Sequence, residues 1–118
     1  MSRILLVGTD CSMTKMTGRL LKRNGFDVQC AIGTAEAMEA ITGTEIAAVI
    51  ADLELSSREI ADFCREVKQY SRAIKLLLIS GSEEDEIPIL TSGADDWIKK
   101  PYQMRILYTR INVLLRQE

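Results

Sequence analysis

The sequence predicts an α/β domain, a doubly wound five-stranded parallel sheet with helices on both faces. Two observations carry this. Strand-like apolar runs alternate with helix-period segments along all 118 residues, the pattern of repeated β-α units. Three of those runs also end on a polar residue of a different kind. Ala47-Ala48-Val49-Ile50-Ala51 leads into Asp52, Leu76-Leu77-Leu78-Ile79 into Ser80, and Asp96-Trp97-Ile98 into Lys99-Lys100-Pro101. As parallel strands they bring a carboxylate, a hydroxyl and an ammonium to one sheet edge. Open α/β sheets bind and react at the carboxyl ends of their strands.

The first strand spans 3–7 and ends on Gly8-Thr9-Asp10. A helix follows from a Ser12 cap, with Met13, Met16, Leu20 and Leu21 at helical spacing. Asn24-Gly25 closes it, because glycine accepts the left-handed cap conformation. The second strand is 26–31. Thr34 caps the second helix, which turns Ala35, Met38 and Ile41 inward and stops at Gly43. The third strand, 46–51, is continuously apolar, as a central parallel strand should be. The third helix is 57–70, with Ile60, Phe63, Cys64 and Val67 as its buried stripe. The fourth strand is 75–79. The fourth helix falls within 82–91, where Pro88 cannot sit deep in a helix but fits its first position. A short, late-starting helix is expected, and Glu83-Glu84-Asp85-Glu86 becomes an acidic loop. The fifth strand is 94–98. The fifth helix is 103–116, with Ile106, Leu107, Ile111 and Leu114 inward and Arg105, Arg110 and Arg116 outward. Five such units fit a flavodoxin-like sheet of strand order 2-1-3-4-5.

Composition excludes several functions. The chain is 47% hydrophobic and 27% charged with a net charge of −2. That is ordinary globular usage, with no general attraction to nucleic acid or anionic lipid. The basic side chains of the last helix are balanced by the acidic run, and no stacking aromatics sit among them, so no direct nucleic-acid binding is expected. No apolar run approaches the ~20 residues of a membrane helix, and Met1-Ser2-Arg3 leads straight into a strand without a signal-peptide pattern. A cytoplasmic location without membrane contact is therefore expected. The three cysteines, Cys11, Cys30 and Cys64, contain no C-x-x-C pair and read as small hydrophobic thiols. Cys11, just past the first strand, is the one expected to be exposed. With no histidine in the chain, Ser-His-Asp and Cys-His catalysis and histidine metal sites are ruled out. No glycine-rich phosphate loop follows the first strand, which argues against a nucleotide-binding enzyme.

Over essentially its full length, 1–118, the chain resembles a receiver domain of the bacterial two-component response-regulator family. The residues that carry the likeness are Arg3-Ile4-Leu5-Leu6-Val7, Leu21-Lys22-Arg23-Asn24-Gly25-Phe26, Asp52, Ser80-Gly81, Gly93-Ala94-Asp95-Asp96-Trp97 and Lys100-Pro101-Tyr102. The resemblance implies a phosphorelay protein that is not itself an enzyme. Asp52 would be the phosphoacceptor, taking a phosphoryl group from a histidine kinase as an aspartyl phosphate. Ser80 and Lys100 would contact the phosphate, whose charge needs hydrogen-bond and cationic stabilisation. A cis Lys100-Pro101 bond would place the lysine, and Trp97 would be the switch aromatic. Asp95-Asp96 reads as a strand-entry feature.

The match breaks after the first strand. Receivers place two adjacent acids there to hold Mg²⁺, and the aligned positions here are Gly8 and Thr9, with Asp10 one residue late. The remaining metal candidates are Asp10, Asp52 and Glu54. Asp10 could swing into the site or cap the first helix, and Glu54 could point in or face solvent. Mg²⁺ demands near-octahedral oxygen ligands, so this set predicts weak or no Mg²⁺ binding. The loop after Asp52 also lacks the family's Pro and Gly. Two readings follow. In the first, the chain is an atypical receiver acting as a protein-interaction module, with weak or no Mg²⁺-dependent phosphorylation. In the second, it is a working phosphoacceptor modified on Asp52. In either, the expected partner is a histidine kinase or another signalling protein. A homodimer through the face of the fourth helix, fifth strand and fifth helix is also expected.

Overall fold

The computed structural model describes residues 3–9, 11–52, 56–80, 93–100 and 102–116, leaving aside the side chains of 11–14, 57 and 80. Strands β1 (Arg3–Gly8), β2 (Asp27–Ile32), β3 (Ala48–Asp52), β4 (Lys75–Ser80) and β5 (Asp96–Lys99) alternate with helices α1 (Cys11–Arg23), α2 (Gly33–Gly43), α3 (Ser57–Tyr70) and α4 (Met104–Arg116). The strands form one parallel sheet in the order β2-β1-β3-β4-β5, as the alternation predicts. The helix expected within 82–91, with Pro88 and the acidic run, lies outside the described residues, so α4 is the helix expected over 103–116.

Because side chains alternate along a strand, each central strand feeds two cores. Leu5 and Val7 of β1, Val49 and Ala51 of β3, and Leu76 and Leu78 of β4 pack with α2 and α3. Ile4 and Leu6, Ala48 and Ile50, and Leu77 and Ile79 pack with α1 and α4. Burial on both faces explains the unbroken apolar runs. The α3 stripe is as expected, with Ile60, Phe63, Cys64 and Val67 all buried. Its start is a capping box. The Ser56 hydroxyl accepts from the Glu59 N–H, and the Glu59 carboxylate accepts from the Ser56 N–H, which satisfies two backbone donors of the helix end. Ser56 thus caps the helix.

Several local expectations are corrected. Helix α1 starts at Cys11, which puts Ser12 inside its first turn and not at the cap. Its inner face is Thr17, Gly18 and Leu21, and Met16 is 68% exposed. Gly18 lies on the sheet side of the helix. A Cβ there would lie 3.6 Å from Leu6 Cδ1 and 3.7 Å from Val28 Cγ1, ordinary van der Waals contact. Helix α2 starts at Gly33 with φ +79°, and the residue at its cap position, Ile32, makes no side-chain cap bond. Thr34 is therefore in the first turn. Ala37 and Ile41 face inward, while Ala35 is exposed. On α4 the buried stripe is Leu107, Ile111 and Leu114, and Ile106 is 41% exposed.

The Asn24-Gly25 ending of α1 is built as expected. Gly25 has φ +89°, and the N–H groups of Phe26 and Gly25 donate to the carbonyls of Leu21 and Lys22. This is the paired bonding of a left-handed helix cap. The Gly93-Ala94-Asp95-Asp96 segment enters β5 through its two carboxylates. Asp95 accepts from Lys68 Nζ at 2.7 Å and from the Leu76 N–H at 2.8 Å. Lys68 Nζ also donates to the Ile74 carbonyl. Asp96 accepts from Arg110 of α4.

The two faces differ in charge. Helix α1 carries Lys15, Arg19, Lys22 and Arg23, and α4 carries Arg105, Arg110 and Arg116, with no acidic residue on either. All seven are exposed. Across the sheet, α2 carries Glu36 and Glu39 and no basic residue. No helix of the described residues is long and apolar enough to cross a membrane.

Candidate functional site

Strand alternation decides which of the predicted residues meet. Ala48 and Ile50 face the α1–α4 side, and Asp52 is the next residue of that parity. Ile98 faces the same side, and Lys100 follows it. Two strands apart in the sheet, both side chains therefore leave its carboxyl edge on one face. They meet there, with Lys100 Nζ 2.7 Å from Asp52 Oδ1. The Asp52 side chain is 17% exposed and that of Lys100 is 35% exposed. The pair is partly shielded from water, which strengthens its Coulomb attraction over that of an exposed pair.

The β1–β3 register places Gly8 opposite Asp52. The backbone next to the carboxylate therefore ends in a residue without a side chain, followed by the exposed Thr9. Ser80 ends β4, in register with Lys99. Asp10 and Glu54 lie outside the described residues, as do Cys11's side chain and Pro101 of the expected cis bond. Of the other cysteines, Cys30 is the exposed thiol and Cys64 is buried. Trp97 is not brought to the Asp52–Lys100 pair. Its parity turns it to the opposite face, where it packs half-buried against the α2–α3 core. It also borders a groove of about 500 Å³ with Asp96, Tyr102, Ile106 and Arg110.

Sequence reasoning misses two residues at the site. Tyr102 enters it only as the last residue of a motif, and Thr17 does not enter it at all. Both line a small cavity with Asp52, floored by Leu6, Ile50 and Ile79. Burial pushes the Tyr102 phenol above the ordinary tyrosine value, and the Asp52 charge pushes it the same way. The Lys100 ammonium and a hydrogen bond with the Thr17 hydroxyl act in the opposite direction. Thr17 is 8% exposed, a buried polar residue among apolar neighbours. Such a residue on the sheet side of a helix needs a partner, and that is the signal a sequence offers.

The donor set of the described residues does not by itself suit a divalent cation. Mg²⁺ is held at short, near-octahedral distances and usually by one or two carboxylates. Among the described residues the only carboxylate at this edge is Asp52, which Lys100 already neutralises. No group of three or more His, Cys, Asp or Glu among them could hold a metal. The described arrangement offers one carboxylate, one ammonium and one half-buried phenol.

The sequence model of the response regulator receiver domain matches residues 4–112. The chain belongs to that family and is a receiver domain of two-component signalling. Solved structures agree. The signal receiver domain of a response regulator from Bermanella marisrubri is 30% identical, with 98% of this chain and 100% of that chain covered and a TM-score of 0.87. A CheY-like response regulator receiver domain from Methanospirillum hungatei JF-1 is 25% identical, with 98% and 94% covered and a TM-score of 0.88. Response regulator protein TrrA from Thermotoga maritima, solved in complex with Mg²⁺-BeF, shares the fold at 19% identity, with 97% and 99% covered and a TM-score of 0.85.

Proposed function

We propose that this receiver is an atypical one, a protein-interaction module whose Asp52 is phosphorylated weakly or not at all through Mg²⁺. The observation that carries the reading is the environment of Asp52. Its carboxylate is paired with Lys100 at 2.7 Å, and its neighbour across the register is Gly8. An ion pair supplies the counter-charge that the family's metal would supply, without metal ligands at 8 and 9. On this reading the chain catalyses no turnover of its own and acts in the cytoplasm. It binds a histidine kinase or another signalling protein. Among the described residues, β5 and α4 form the face for that partner or for a second copy.

The test is treatment with acetyl phosphate and Mg²⁺, followed by intact mass. The expected result is little or no gain of one phosphoryl group. Complete conversion, abolished by Asp52→Asn, would overturn the reading.

One observation favours the second reading, a working phosphoacceptor. Asp52 and Lys100 have the residue types and the mutual placement that phosphoryl transfer to a carboxylate requires. The relative TrrA was solved with Mg²⁺-BeF. If the second reading holds, acetyl phosphate labels the wild-type chain and Asp10 or Glu54 completes the metal site.

A further inference from the structure

Helices α1 and α4 share one face of the sheet and carry exposed cations but no carboxylate. Lys15, Arg19, Lys22 and Arg23 recur at helical spacing along one side of α1. Arg105 and Arg116 stand about three turns apart on one side of α4. Arg110 is paired with Asp96. The other six have no carboxylate partner among the described residues. Helix stability does not account for this pattern. The helix dipole favours cations in the last turn, where Lys22, Arg23 and Arg116 lie. Arg105, however, is in the first turn of α4, where the dipole opposes a cation. Neither helix has the first-turn carboxylate that the dipole would favour. Like charges four residues apart, such as Lys15 and Arg19, also repel. An anionic partner relieves all of these terms.

Between the two helices lies a groove of about 180 Å³, lined by Leu20, Leu21, Asn24, Met104, Arg105 and Tyr108. Leu20, Met104 and Tyr108 are half-buried, and Arg105 is exposed at the lip. The volume lies below the ~300 Å³ at which pockets for small molecules begin, so the groove suits one apolar side chain. Met16, 68% exposed, precedes Leu20 by one helical turn and extends the apolar strip. We propose that the α1–α4 face is a docking surface for an acidic amphipathic helix of a partner protein. One apolar side chain of that helix enters the groove, and its carboxylates meet Arg105 and the basic stripe of α1. The pairing of an apolar slot with a cationic border favours a protein helix over other anions. A nucleic-acid backbone has no apolar side chain to insert, and the ring of Tyr108 is engaged edge-on by Phe26. A lipid surface would need several exposed apolar residues, and on α1 Met16 is the only large one among the described residues. The surface lies on the other side of α4 from the groove that Ile106 and Arg110 line with β5. It does not rest on the state of Asp52, so the acetyl phosphate experiment and the following one fail independently.

The probe is a synthetic helical peptide with leucine along one side and glutamate on the flanking positions, titrated into the ¹⁵N-labelled chain. Amide shifts are expected in the 19–24 and 104–108 segments. Affinity should fall as salt is raised. Arg105→Glu, and Arg19→Glu with Arg23→Glu, should each weaken binding by about tenfold. Arg72→Glu, an exposed site outside both helices, makes a charge reversal of the same kind and should leave binding unchanged. Unshifted amides in β1 to β4 show that each variant is folded. A peptide with glutamine for glutamate should bind as weakly as the arginine variants show, and one with serine for leucine should lose the shifts at Leu20, Met104 and Tyr108. No shift in these segments with the glutamate peptide would overturn the proposal. Equal binding of the serine peptide would reduce the face to bare charge, and an equal effect of Arg72→Glu would reduce it to net charge; either result overturns it. So would tighter binding of duplex DNA or of phosphatidylglycerol vesicles at the same residues, which would assign the face to a nucleic acid or to a membrane.

Discussion

At the scale of single residues, the pair of Asp52 and Lys100 is legible in the sequence because both follow strand-like runs. Parity then puts them on one face. The same parity sends Trp97 to the other face. Asp52→Asn leaves Lys100 without its counter-charge, but at 35% exposure the ammonium can turn to water. A destabilisation of about 1 kcal/mol is expected from urea unfolding, and loss of folding would indicate a deeper structural role. Gly8→Asp with Thr9→Asp adds two carboxylates where β1 abuts Asp52. It should confer Mg²⁺ binding, read by titration calorimetry, which the wild type should show only weakly if at all. Tyr102 gives a pH prediction. Its folded pKa lies above the unfolded value of about 10, so the folded state holds the phenolic proton more tightly. The corresponding stability is whole below about pH 10 and is lost as pH rises from there through the raised value. Urea unfolding across that range should fall less steeply in Tyr102→Phe. Thr17 and Tyr102 escape a sequence reading because residues so far apart in the chain have no spacing signature. They line one cavity only once α1 is docked.

At the scale of elements, the long periodic segments are legible and their ends less so. Helix α3 is amphipathic with branched and aromatic residues on one side only, so its stripe is unambiguous. In helix α1, Leu21 is inward as its spacing predicts, but Met16 is exposed. Hydrophobicity counts methionine as inward and glycine as neutral, yet Gly18 is buried and Met16 is not. A Cβ at position 18 would meet its neighbours at 3.6 to 3.9 Å, ordinary van der Waals distances. Gly18→Ala therefore fits and removes the backbone-entropy penalty of a mid-helix glycine. It should stabilise the fold by roughly 0.5–1 kcal/mol, whereas Gly18→Leu should destabilise it. Both are measured by thermal or urea unfolding. On α3, Ser56→Ala removes the capping box and should cost about 1 kcal/mol by the same measurement. The caps expected at Ser12 and Thr34 fail because a hydroxyl near a helix start signals a cap only to within a residue or two.

At the scale of the whole molecule, the strand order and the five parallel strands follow from alternation and from apolar runs buried on both faces. The distribution of charge does not, because it depends on which helices share a face. A net charge of −2 describes a sum and conceals an arrangement in which α1 and α4 present only positive groups. Adsorption to a charged surface depends on the patch that meets the surface and not on the sum. This domain should therefore be retained by a negatively charged chromatographic resin at neutral pH and low ionic strength, despite its net negative charge, and be released as salt shortens the range of the interaction. Replacing Arg19 and Arg23 with glutamate should send it through the same column unretained. In a mixture of proteins of equal net charge, this one would orient, with the basic helices toward the anionic bed and the acidic helix toward the flowing buffer.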